Sequence, residues 1–305
     1  MILIDFNQVV ISGFTSFVSA NKIKNPDEDL IRHVVINTLR TTINQFKHQY
    51  GEVVICCDNK KYWRKEVYPH YKAMRKKNRE KSDLDWNKIF KILNELREDL
   101  KIHFPYKVID VDGAEADDVI AILTMNKDPD EKIIICSSDG DFKQLQRYDN
   151  VKQYNPMNGT YIKSPDVLKE LKEKIIRGDS GDGLSNILSQ DDCFIVGKRQ
   201  NAISSKKIEL WIDKNPEEFC TEDMLARYNR NKLLIDFEEI PNSIKDSIIN
   251  AYKNCIVGNK TNLYKYFIDK NLVNLMDVID EFWEINYEKK YNNNCNIAPS
   301  FFDIL

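Results

Sequence analysis

Short apolar stretches alternate with longer amphipathic stretches through the first half of the chain. The apolar runs have the length of buried β-strands and lie at 2–6, 53–57, 108–111, 132–137 and 151–154. Apolar residues recur at helical spacing in 27–50 and 86–100, and GAEADDVIAILT (113–124) begins a further helix. This alternation predicts an α/β fold with a central, mostly parallel sheet flanked by helices.

From about residue 164 the pattern changes to mostly helical. Predicted helices lie at 165–176, 241–252, 262–270 and 275–287, and Ser164 is the predicted N-cap of the first. An Asn-rich stretch then precedes the last six residues, SFFDIL. The predicted organisation is an α/β domain at 1–180, a smaller all-helical region at 181–291, and a linker with a tail at 292–305.

Composition and the absence of targeting signals indicate the cellular compartment in which the protein works. The seven cysteines form no CxxC pair, which favours reduced thiols over a zinc site or a disulfide framework. No apolar run approaches the roughly 20 residues that a membrane helix needs. The N-terminus lacks the basic region and cleavage site of a signal peptide. We therefore expect a cytoplasmic protein without a membrane partner, in the host cytoplasm if the source is viral.

Charge is unevenly distributed along the chain. The formal net charge is only −3, yet the segment 60–81 holds ten Lys or Arg against two acids. A charge run alone is usually a solvated helix face. This one also contains four aromatic residues, Tyr62, Trp63, Tyr68 and Tyr71. Basic groups neutralise phosphates and aromatic rings stack on unpaired bases, so the segment is typical of a nucleic-acid contact.

Carboxylates recur where the predicted strands end. Asp5, Asp58 and Asp139 each follow an apolar run, and GAEADD (113–118) opens a helix after another. In a parallel sheet these positions meet at one edge. Clustered carboxylates repel one another unless a cation is present, and all-oxygen sites suit Mg²⁺ or Mn²⁺. The number of acids favours two metal positions, an arrangement that suits phosphodiester hydrolysis.

The loop GDSGDG (178–183) leaves several interpretations open when it is taken alone. It could cradle a phosphate, close a haloacid-type phosphatase site, hold a metal ion, or form an ordinary turn. A Walker loop needs a Lys after its glycines, and none follows here. The phosphatase class needs Asp-x-Asp after the first strand, whereas this chain has Asp5-Phe6-Asn7. The other strand-end acids favour the metal interpretation.

The order of these motifs resembles the flap endonuclease/5′-nuclease superfamily, and within it the ribonuclease H type of T-even phages. The motifs are LIDFNQ, VICCDNKKYWRKEVYPHYKAMRKK, GAEADDVIA, SSDGDFKQL and GDSGDGLSN. The resemblance runs from residue 2 to about 190 and continues less distinctly to the C-terminal helices. It implies a PIN-like central sheet and a basic helical arch at about 60–85.

By position, the resemblance implies two groups of metal ligands. The main ligands of the first ion would be Asp5, Asp58, Asp118 and Asp139. Glu115 and Asp117 would be further ligands or lie directly behind them. The second ion would be held by Asp141, Asp179 and Asp182.

The resemblance also implies roles for the arch. Tyr71, Lys72 and Arg75 match the family's YKxxR element, in which Lys72 and Arg75 would contact the scissile phosphate. The residues implied to bind nucleic acid are Lys60, Lys61, Arg64, Lys65, Lys72, Arg75, Lys76, Lys77, Arg79 and Lys198.

The implied activity is that of a Mg²⁺-dependent 5′ nuclease, with Mn²⁺ able to substitute. Members of this superfamily cut 5′ ends exonucleolytically and flaps endonucleolytically, and the phage type removes RNA primers during replication. Expected substrates are branched or nicked DNA and RNA/DNA hybrids. We expect a monomer, with a single-stranded-DNA-binding protein as a further partner.

The chain departs from the family pattern after the second aspartate of the loop. Gly183 stands where many relatives have Asn, and only Gly197-Lys198 is similar to the family's Gly-rich hairpin. The predicted helix-turn-helix DNA-binding region is therefore degenerate, which weakens the prediction of a K⁺ site.

The last residues, 300–305, resemble short hydrophobic peptides that bind sliding clamps. Phe301, Phe302 and Leu305 would make that contact, or would instead pack on their own domain. Two alternatives for the whole chain remain at this point. One is a non-catalytic protein that binds branched DNA, and the other is a PIN-type ribonuclease, although such domains are shorter and lack the arch and helical second half.

Overall fold

A six-stranded sheet forms the centre of the computed structural model, which describes residues 1–75 and 84–283. The strands are β1 Ile2–Asp5, β2 Val53–Cys56, β3 Lys107–Ile109, β4 Ile133–Cys136, β5 Val151–Asn155 and β6 Thr160–Ile162. Their order is β3-β2-β1-β4-β5-β6; the first five are parallel, and β6 is antiparallel to β5. The predicted α/β fold with a mostly parallel sheet is confirmed, and β6 is an addition.

Helices cover both faces of this sheet. They are α1 Phe6–Ala20, α2 Glu28–Tyr50, α3 Trp63–Val67, α4 Trp86–His103, α5 Ala116–Met125, α6 Val167–Arg177, α7 Ser205–Trp211, α8 Glu222–Ile235, α9 Asn242–Lys253, α10 Lys260–Asp269, α11 Val273–Met276 and α12 Ile279–Trp283. Short 3₁₀ helices lie at Gly140–Arg147, Pro216–Glu218 and Phe237–Glu239. Each described helix is too short or too polar to cross a bilayer.

Two helices differ from their predicted form. The predicted N-cap Ser164 instead donates its hydroxyl to Glu170, and α6 begins later, where the Asp166 side chain accepts from the Lys169 backbone N–H at 3.1 Å. The single helix predicted at 275–287 is two short helices, α11 and α12, as far as residue 283.

Helix α1 was not predicted. It is rich in Val, Ile, Ser and Thr, which are not strong helix formers, so packing decides its structure. It follows β1 directly, and the Asp5 side chain caps it by accepting from the Gln8 backbone N–H at 3.2 Å. The N-terminal acid of the predicted site is therefore also a helix cap.

The sheet separates two apolar layers, and the C-terminal helices contribute to both. Leu263 and Phe267 of α10 pack in the layer that contains α1, α2 and α4. Tyr228 of α8 and Ile248 of α9 pack in the opposite layer with α5. In the first layer the buried Arg32 pairs with Asp99 of α4 at 2.6 Å. Residues on both sides of position 180 thus share cores, and the domain boundary there stays a prediction.

Candidate active site at the carboxyl edge of the sheet

The carboxyl ends of β1, β2 and β4 lie side by side, and they carry three of the predicted acids. Asp5 ends β1, Asp58 follows β2, and Asp139 follows β4. Ser137 joins two of them, because its hydroxyl donates to Asp5 Oδ2 at 3.0 Å and accepts from the Asp139 backbone N–H at 3.1 Å. The topology thus brings together acids that are far apart in sequence.

Neutral donors fix the second of these acids. Asp58 Oδ2 accepts from the Asn7 side-chain amide at 2.7 Å, and Asp58 Oδ1 accepts from the Ala116 backbone N–H at 2.9 Å. Asn7 lies in the first turn of α1, directly after β1 and Phe6. The Asp58 carboxylate is therefore oriented without a basic partner among these contacts.

The acids at the start of α5 divide between the edge and the interior. Asp118 is fully buried and pairs with Arg64 Nη1 at 2.8 Å, while its other oxygen accepts from the Trp63 indole N–H and the Glu115 backbone N–H. Asp117 is half-buried and lies within the electrostatic reach of Asp5 and other edge acids. The structure thus differs from the predicted assignment, in which Asp118 was a main ligand and Asp117 secondary. Neighbouring helix positions point about 100° apart, so only one of the two can face the edge.

Glu115 connects α5 to the base of the predicted arch. Its carboxylate is 1% exposed, and it lies 2.5 Å from Lys72 Nζ, 3.0 Å from Arg64 Nη1 and 3.1 Å from the Tyr71 hydroxyl. Arg64 was predicted to bind nucleic acid, but it is 2% exposed and also donates to the Leu234 carbonyl at 2.9 Å. Arg64 is therefore a buried counter-ion for Glu115 and Asp118, and it does not lie at the surface.

The second group of acids lies around the loop 178–183. Lys174 of α6 forms ion pairs with Asp141 and with Asp179, the latter at 2.9 Å. Asp182 accepts from Arg75 Nη2 at 2.6 Å and from the Tyr71 hydroxyl at 2.9 Å. All three predicted acids of this group are therefore paired with side chains of the protein.

Backbone contacts attach the arch base to this loop. The Lys72 N–H donates to the Asp182 carbonyl at 2.8 Å, and Lys72 itself has a positive φ of 56°. Gly178 ends α6 with a φ of +67°, and a Cβ there would lie 2.4 Å from the Leu184 carbonyl oxygen. Gly183 has a φ of +78° and lies close to the His70 carbonyl. Glycine at these two positions lets the loop close against the arch base.

Burial, with repulsion between carboxylates, raises the pKa of Asp5, Asp117 and Asp139 at the sheet edge. Burial, followed by the charges of Asp58 and Asp139, raises the pKa of Asp5 from 3.8 to about 7. Burial also raises the pKa of Asp117 well above its ordinary value, with Asp139 and Asp5 adding to the effect against the charge of Lys72. The pKa of Asp139 is raised mainly by burial, and Lys174 opposes the shift. These carboxyl groups therefore bind protons more tightly than free carboxylates do, unless a cation compensates their charge.

The second group and the arch base behave in the opposite way. Burial opposes the ionisation of Asp179, but Lys174 and the backbone N–H groups of the loop outweigh it and lower the pKa of Asp179. Burial opposes the charge of Lys72, but Glu115 and Asp182 outweigh it and raise the pKa of Lys72. Burial and the Glu115 charge raise the pKa of the Tyr71 hydroxyl. Lys72 is thus a cation, and Tyr71 is a neutral donor.

The donor set suits a hard divalent cation, because the edge offers carboxylate oxygens close enough to raise one another's pKa. In residues 1–75 and 84–283, however, no three His, Cys, Asp or Glu side chains already converge on one metal position. The ammonium groups of Lys72 and Lys174 lie against several of these acids instead. The acids fit the predicted metal chemistry, and protein cations pair with Glu115 and with the acids of the second group.

Beside the second group lies a cleft of about 410 Å³ between the 3₁₀ helix at 140–147 and α6. Charged side chains of both signs line it, among them Asp141, Lys143, Lys174 and Arg177. The candidate site is therefore open on the side of α6.

The other predicted basic residues lie at the surface where the structure describes them. Lys60, Lys61, Lys65, Arg75 and Lys198 are exposed. Lys76, Lys77 and Arg79 lie outside the described residues, as do Phe301, Phe302 and Leu305.

Three residues of the site were not identified from the sequence: Asn7, Ser137 and Lys174. Asn7 and Ser137 lie within the quoted motifs LIDFNQ and SSDGDFKQL, next to acids that were recognised. Lys174 lies one turn before the end of α6, so helical geometry places it beside the loop that follows. Proximity to recognised acids was the signal available for all three.

Comparison with known proteins agrees with this geometry. The family description "5′-3′ exonuclease, N-terminal resolvase-like domain" matches residues 1–174, and "T4 RNase H, C terminal" matches residues 165–282. This chain belongs to the 5′-3′ exonuclease family. A curated relative, the ribonuclease H of enterobacteria phage T4, is 34% identical over 292 residues, which cover 92% of this chain and 95% of the relative.

Solved structures show the same fold as this exonuclease family member. The T5 D15 protein co-crystallised with metal ions has a TM-score of 0.58 at 16% identity, over 83% of this chain and 98% of that one. The T5 5′-exonuclease with bound zinc ions has a TM-score of 0.54 at 18% identity, over 90% and 98% of the two chains. The predicted resemblance, the PIN-like fold and the classification as a phosphodiester-hydrolysing nuclease are confirmed, against the alternatives of a non-catalytic binder or a PIN-type ribonuclease.

Proposed function

We propose that this nuclease is Mg²⁺-dependent and removes 5′ ends and flaps from branched or nicked DNA and from RNA/DNA hybrids during replication. The observation that carries the proposal is the convergence of Asp5, Asp58, Asp117 and Asp139 at one sheet edge. Burial raises the pKa of Asp5 and of Asp117, and the charges of neighbouring edge acids add to both shifts, which is the electrostatic condition that a divalent cation relieves.

Two metal positions are part of the proposal. Asp5, Asp58, Asp117 and Asp139 would hold the first ion, and Asp141, Asp179 and Asp182 the second. Such ions lower the pKa of a bound water and stabilise the leaving oxygen of a phosphodiester. The donor chemistry supports Mg²⁺, with Mn²⁺ as a substitute, because every proposed ligand is a carboxylate.

The arch base would bind the phosphate. Lys72 is a cation with a raised pKa. Arg75 lies on the same segment as Lys72, and it is exposed beside the acids. Both can neutralise charge on a phosphate and stabilise the negative charge that develops there. Tyr71 would orient Glu115 and Asp182, since its single hydroxyl hydrogen lies within reach of both carboxylates, at oxygen–oxygen distances of 3.1 and 2.9 Å.

The substrates are inferred from relatives. The T4 relative carries the name ribonuclease H, and a flap endonuclease of phage T5 has been crystallised with DNA and metal ions. On that basis we propose that RNA/DNA hybrids and branched DNA are also substrates of this chain. Exposed Lys60, Lys61 and Lys65 next to the site supply the positive charge that backbone contacts need.

The decisive experiment replaces Asp139 with Asn. Cleavage of 5′-labelled RNA–DNA hybrid, flap and nicked duplex should fall by more than about 100-fold, the upper end for residues that only support metal ligands. Gels with Mg²⁺ and with EDTA measure this loss, and circular dichroism checks folding. Asp149→Asn changes an exposed acid and is the matched control. Normal cleavage by folded Asp139→Asn protein would overturn the proposal.

A further proposal concerns the tail at 300–305. We propose that Phe301, Phe302 and Leu305 bind a sliding clamp, because they follow a polar linker and resemble clamp-binding peptides. Deletion of 300–305 should abolish clamp-stimulated cleavage and leave basal cleavage on short flaps unchanged. Stimulation that persists after the deletion would contradict this role.

A further inference from the structure

Gln153 of β5 is an amide side chain that is completely buried. Its Nε2 lies 3.0 Å from the Ser137 carbonyl oxygen and 2.6 Å from the Asp139 carbonyl oxygen. A carboxamide nitrogen carries two hydrogens, so both are donated to the same turn, 137–139. This turn connects β4 to the 3₁₀ helix at 140–147 and carries an acid of the site.

The other end of the amide is also fixed. Gln153 Oε1 accepts from Gln146 Nε2 at 3.3 Å. Gln146 in turn donates to the Ile162 carbonyl and accepts from the Ser164 backbone N–H. The opposite orientation of the Gln153 amide would point its oxygen at two carbonyl oxygens, so the network determines which atom faces the turn.

The sheet itself stops just before Asp139. The Ser137 N–H still donates to the Tyr154 carbonyl of β5, at 3.0 Å. Beyond that point the Gln153 side chain takes over the connection to β5. It holds the turn from which the Ser137 hydroxyl reaches Asp5 Oδ2 at 3.0 Å. Asp139 and Asp5 therefore depend on one turn for their relative position.

We propose that Gln153 is a positioning residue for the metal-binding carboxylates, because it fixes the turn that orients Asp139 and, through Ser137, Asp5. This inference rests on the proposed function, in which these two acids hold a divalent ion. The hydrogen bonds that Gln153 donates go to backbone carbonyls of the turn and not to the carboxylate oxygens, so it acts on the acids through the backbone.

Other residue types do not satisfy this position. Glutamate has no hydrogen to donate when ionised, and it would face two carbonyl oxygens. Asparagine is one methylene shorter, and Met fills a similar volume without a donor. Gln153→Met is therefore the substitution that removes the two hydrogen bonds with the smallest change in packing.

The test measures metal affinity directly. Calorimetric titration with Mn²⁺ should give a dissociation constant for Gln153→Met about 10-fold or more above that of the wild type, the range known for residues that support metal ligands. The Mg²⁺ concentration for half-maximal cleavage should rise in parallel, and saturating Mg²⁺ should recover most of the turnover. An unchanged dissociation constant in folded Gln153→Met protein would show a purely structural role and overturn the inference.

Gln144→Met is the matched control. Gln144 is 4% exposed, and its amide joins the Ile235 carbonyl and the Phe237 N–H instead of the turn at 137–139. It should lower the melting temperature to a similar extent and leave the Mn²⁺ affinity unchanged. Equal losses of affinity in both variants would mean that general destabilisation is the cause and would overturn the inference.

Two further variants complete the design. Ser137→Ala removes the link to Asp5. Its effect on Mn²⁺ affinity should be less than additive with that of Gln153→Met, because both act through one turn. Full additivity would contradict the inference.

If Gln153→Met does not fold, Gln146→Leu loosens the same amide and should weaken Mn²⁺ binding by a smaller factor. Unchanged binding would again overturn the inference. Normal Mn²⁺ binding by Asp139→Asn would instead overturn the proposed metal site itself.

Discussion

The two groups of carboxylates at the sheet edge differ in how their charge is balanced. In the first group, Asp5 and Asp58 are held by neutral donors, and the pKa of Asp5 is raised to about 7. In the second group, Lys174 pairs with Asp141 and Asp179, and Arg75 pairs with Asp182. In the first group the carboxylates repel one another, whereas in the second group cations of the protein itself neutralise the carboxylates.

The difference has a consequence for the binding of divalent ions. A cation that enters the first group removes repulsion and takes the place of bound protons. A cation that enters the second group must compete with ammonium and guanidinium groups that are already in contact. We therefore expect the first group to bind Mg²⁺ more tightly than the second.

Replacing Lys72 should give the largest effect, because its charge acts on both groups. Its charge opposes the raised pKa of Asp117 in the first group, and its ammonium lies 3.9 Å from Asp182 in the second. Lys72→Ala should lower the single-turnover cleavage rate by roughly 10²–10³-fold, or about 3–4 kcal/mol, if the ammonium stabilises transition-state charge. Fluorescence anisotropy with labelled flap DNA should show a much smaller loss of affinity.

Lys61→Ala is the matched variant for this measurement. Lys61 is exposed on the same segment, away from the acids. It should weaken DNA binding and reduce the salt dependence of binding while the rate of the bound complex stays normal. A rate loss in Lys61→Ala equal to that in Lys72→Ala would refute a specific role for Lys72.

The two groups should respond to pH in opposite directions in EDTA. The pKa of Asp5 is raised in the fold, so its contribution to stability is complete below about pH 4 and is lost as the pH rises through about 7. The pKa of Asp179 is lowered, so its contribution is present above about pH 4 and is lost on further acidification. Chemical denaturation from about pH 2 to 8 covers both ranges and measures both contributions.

Substitution by Asn separates these contributions. At pH 8 in EDTA, Asp5→Asn should raise the free energy of unfolding by about 2–4 kcal/mol, because it removes a charge that the fold disfavours. Asp179→Asn should lower it by about 1 kcal/mol, because Lys174 loses its anionic partner and the loop N–H groups keep only a neutral acceptor. The same sign for both variants would mean that the two groups do not differ as described.

Lys174→Met should have a smaller effect than Lys72→Ala or Asp5→Asn. It leaves Asp141 and Asp179 without their ammonium partner, so the metal-free protein should lose about 1–2 kcal/mol of stability. Mg²⁺ should stabilise this variant more than the wild type, because a competing cation has been removed. Thermal unfolding with and without Mg²⁺ gives the comparison, and an equal Mg²⁺ effect in both proteins would argue against competition.

The strand ends explain why much of the site could be predicted. Asp5, Asp58 and Asp139 each follow a short apolar run, and parallel strands bring such positions to one edge whatever the length of the connections. The loop around Asp179 and Asp182 was linked to them by its family resemblance and not by periodicity. Local pattern together with topology was sufficient for these residues.

Other assignments needed three-dimensional partners. The sequence GAEADD does not show which of Asp117 and Asp118 faces the edge, because that depends on how α5 is rotated about its axis. Arg64 lies in a basic run that is typical of a solvated surface. It is nevertheless held in the interior by ion pairs with Glu115 and Asp118 and by a hydrogen bond to the Leu234 carbonyl. Gln153 has no local signal beyond a polar residue in a buried strand. Contacts over long sequence distances decide all of these cases.

The contact between Arg64 and the Leu234 carbonyl determines where this nuclease can be truncated. The arginine that orients Glu115 and Asp118 is itself held by the end of α8, 170 residues further along the chain. A fragment that stops near residue 180 would keep every proposed metal ligand except Asp182, yet it would release this arginine from its carbonyl acceptor. A transplantable catalytic module must therefore extend at least through α8, so the unit that can be engineered is longer than the stretch of sequence that carries the acids.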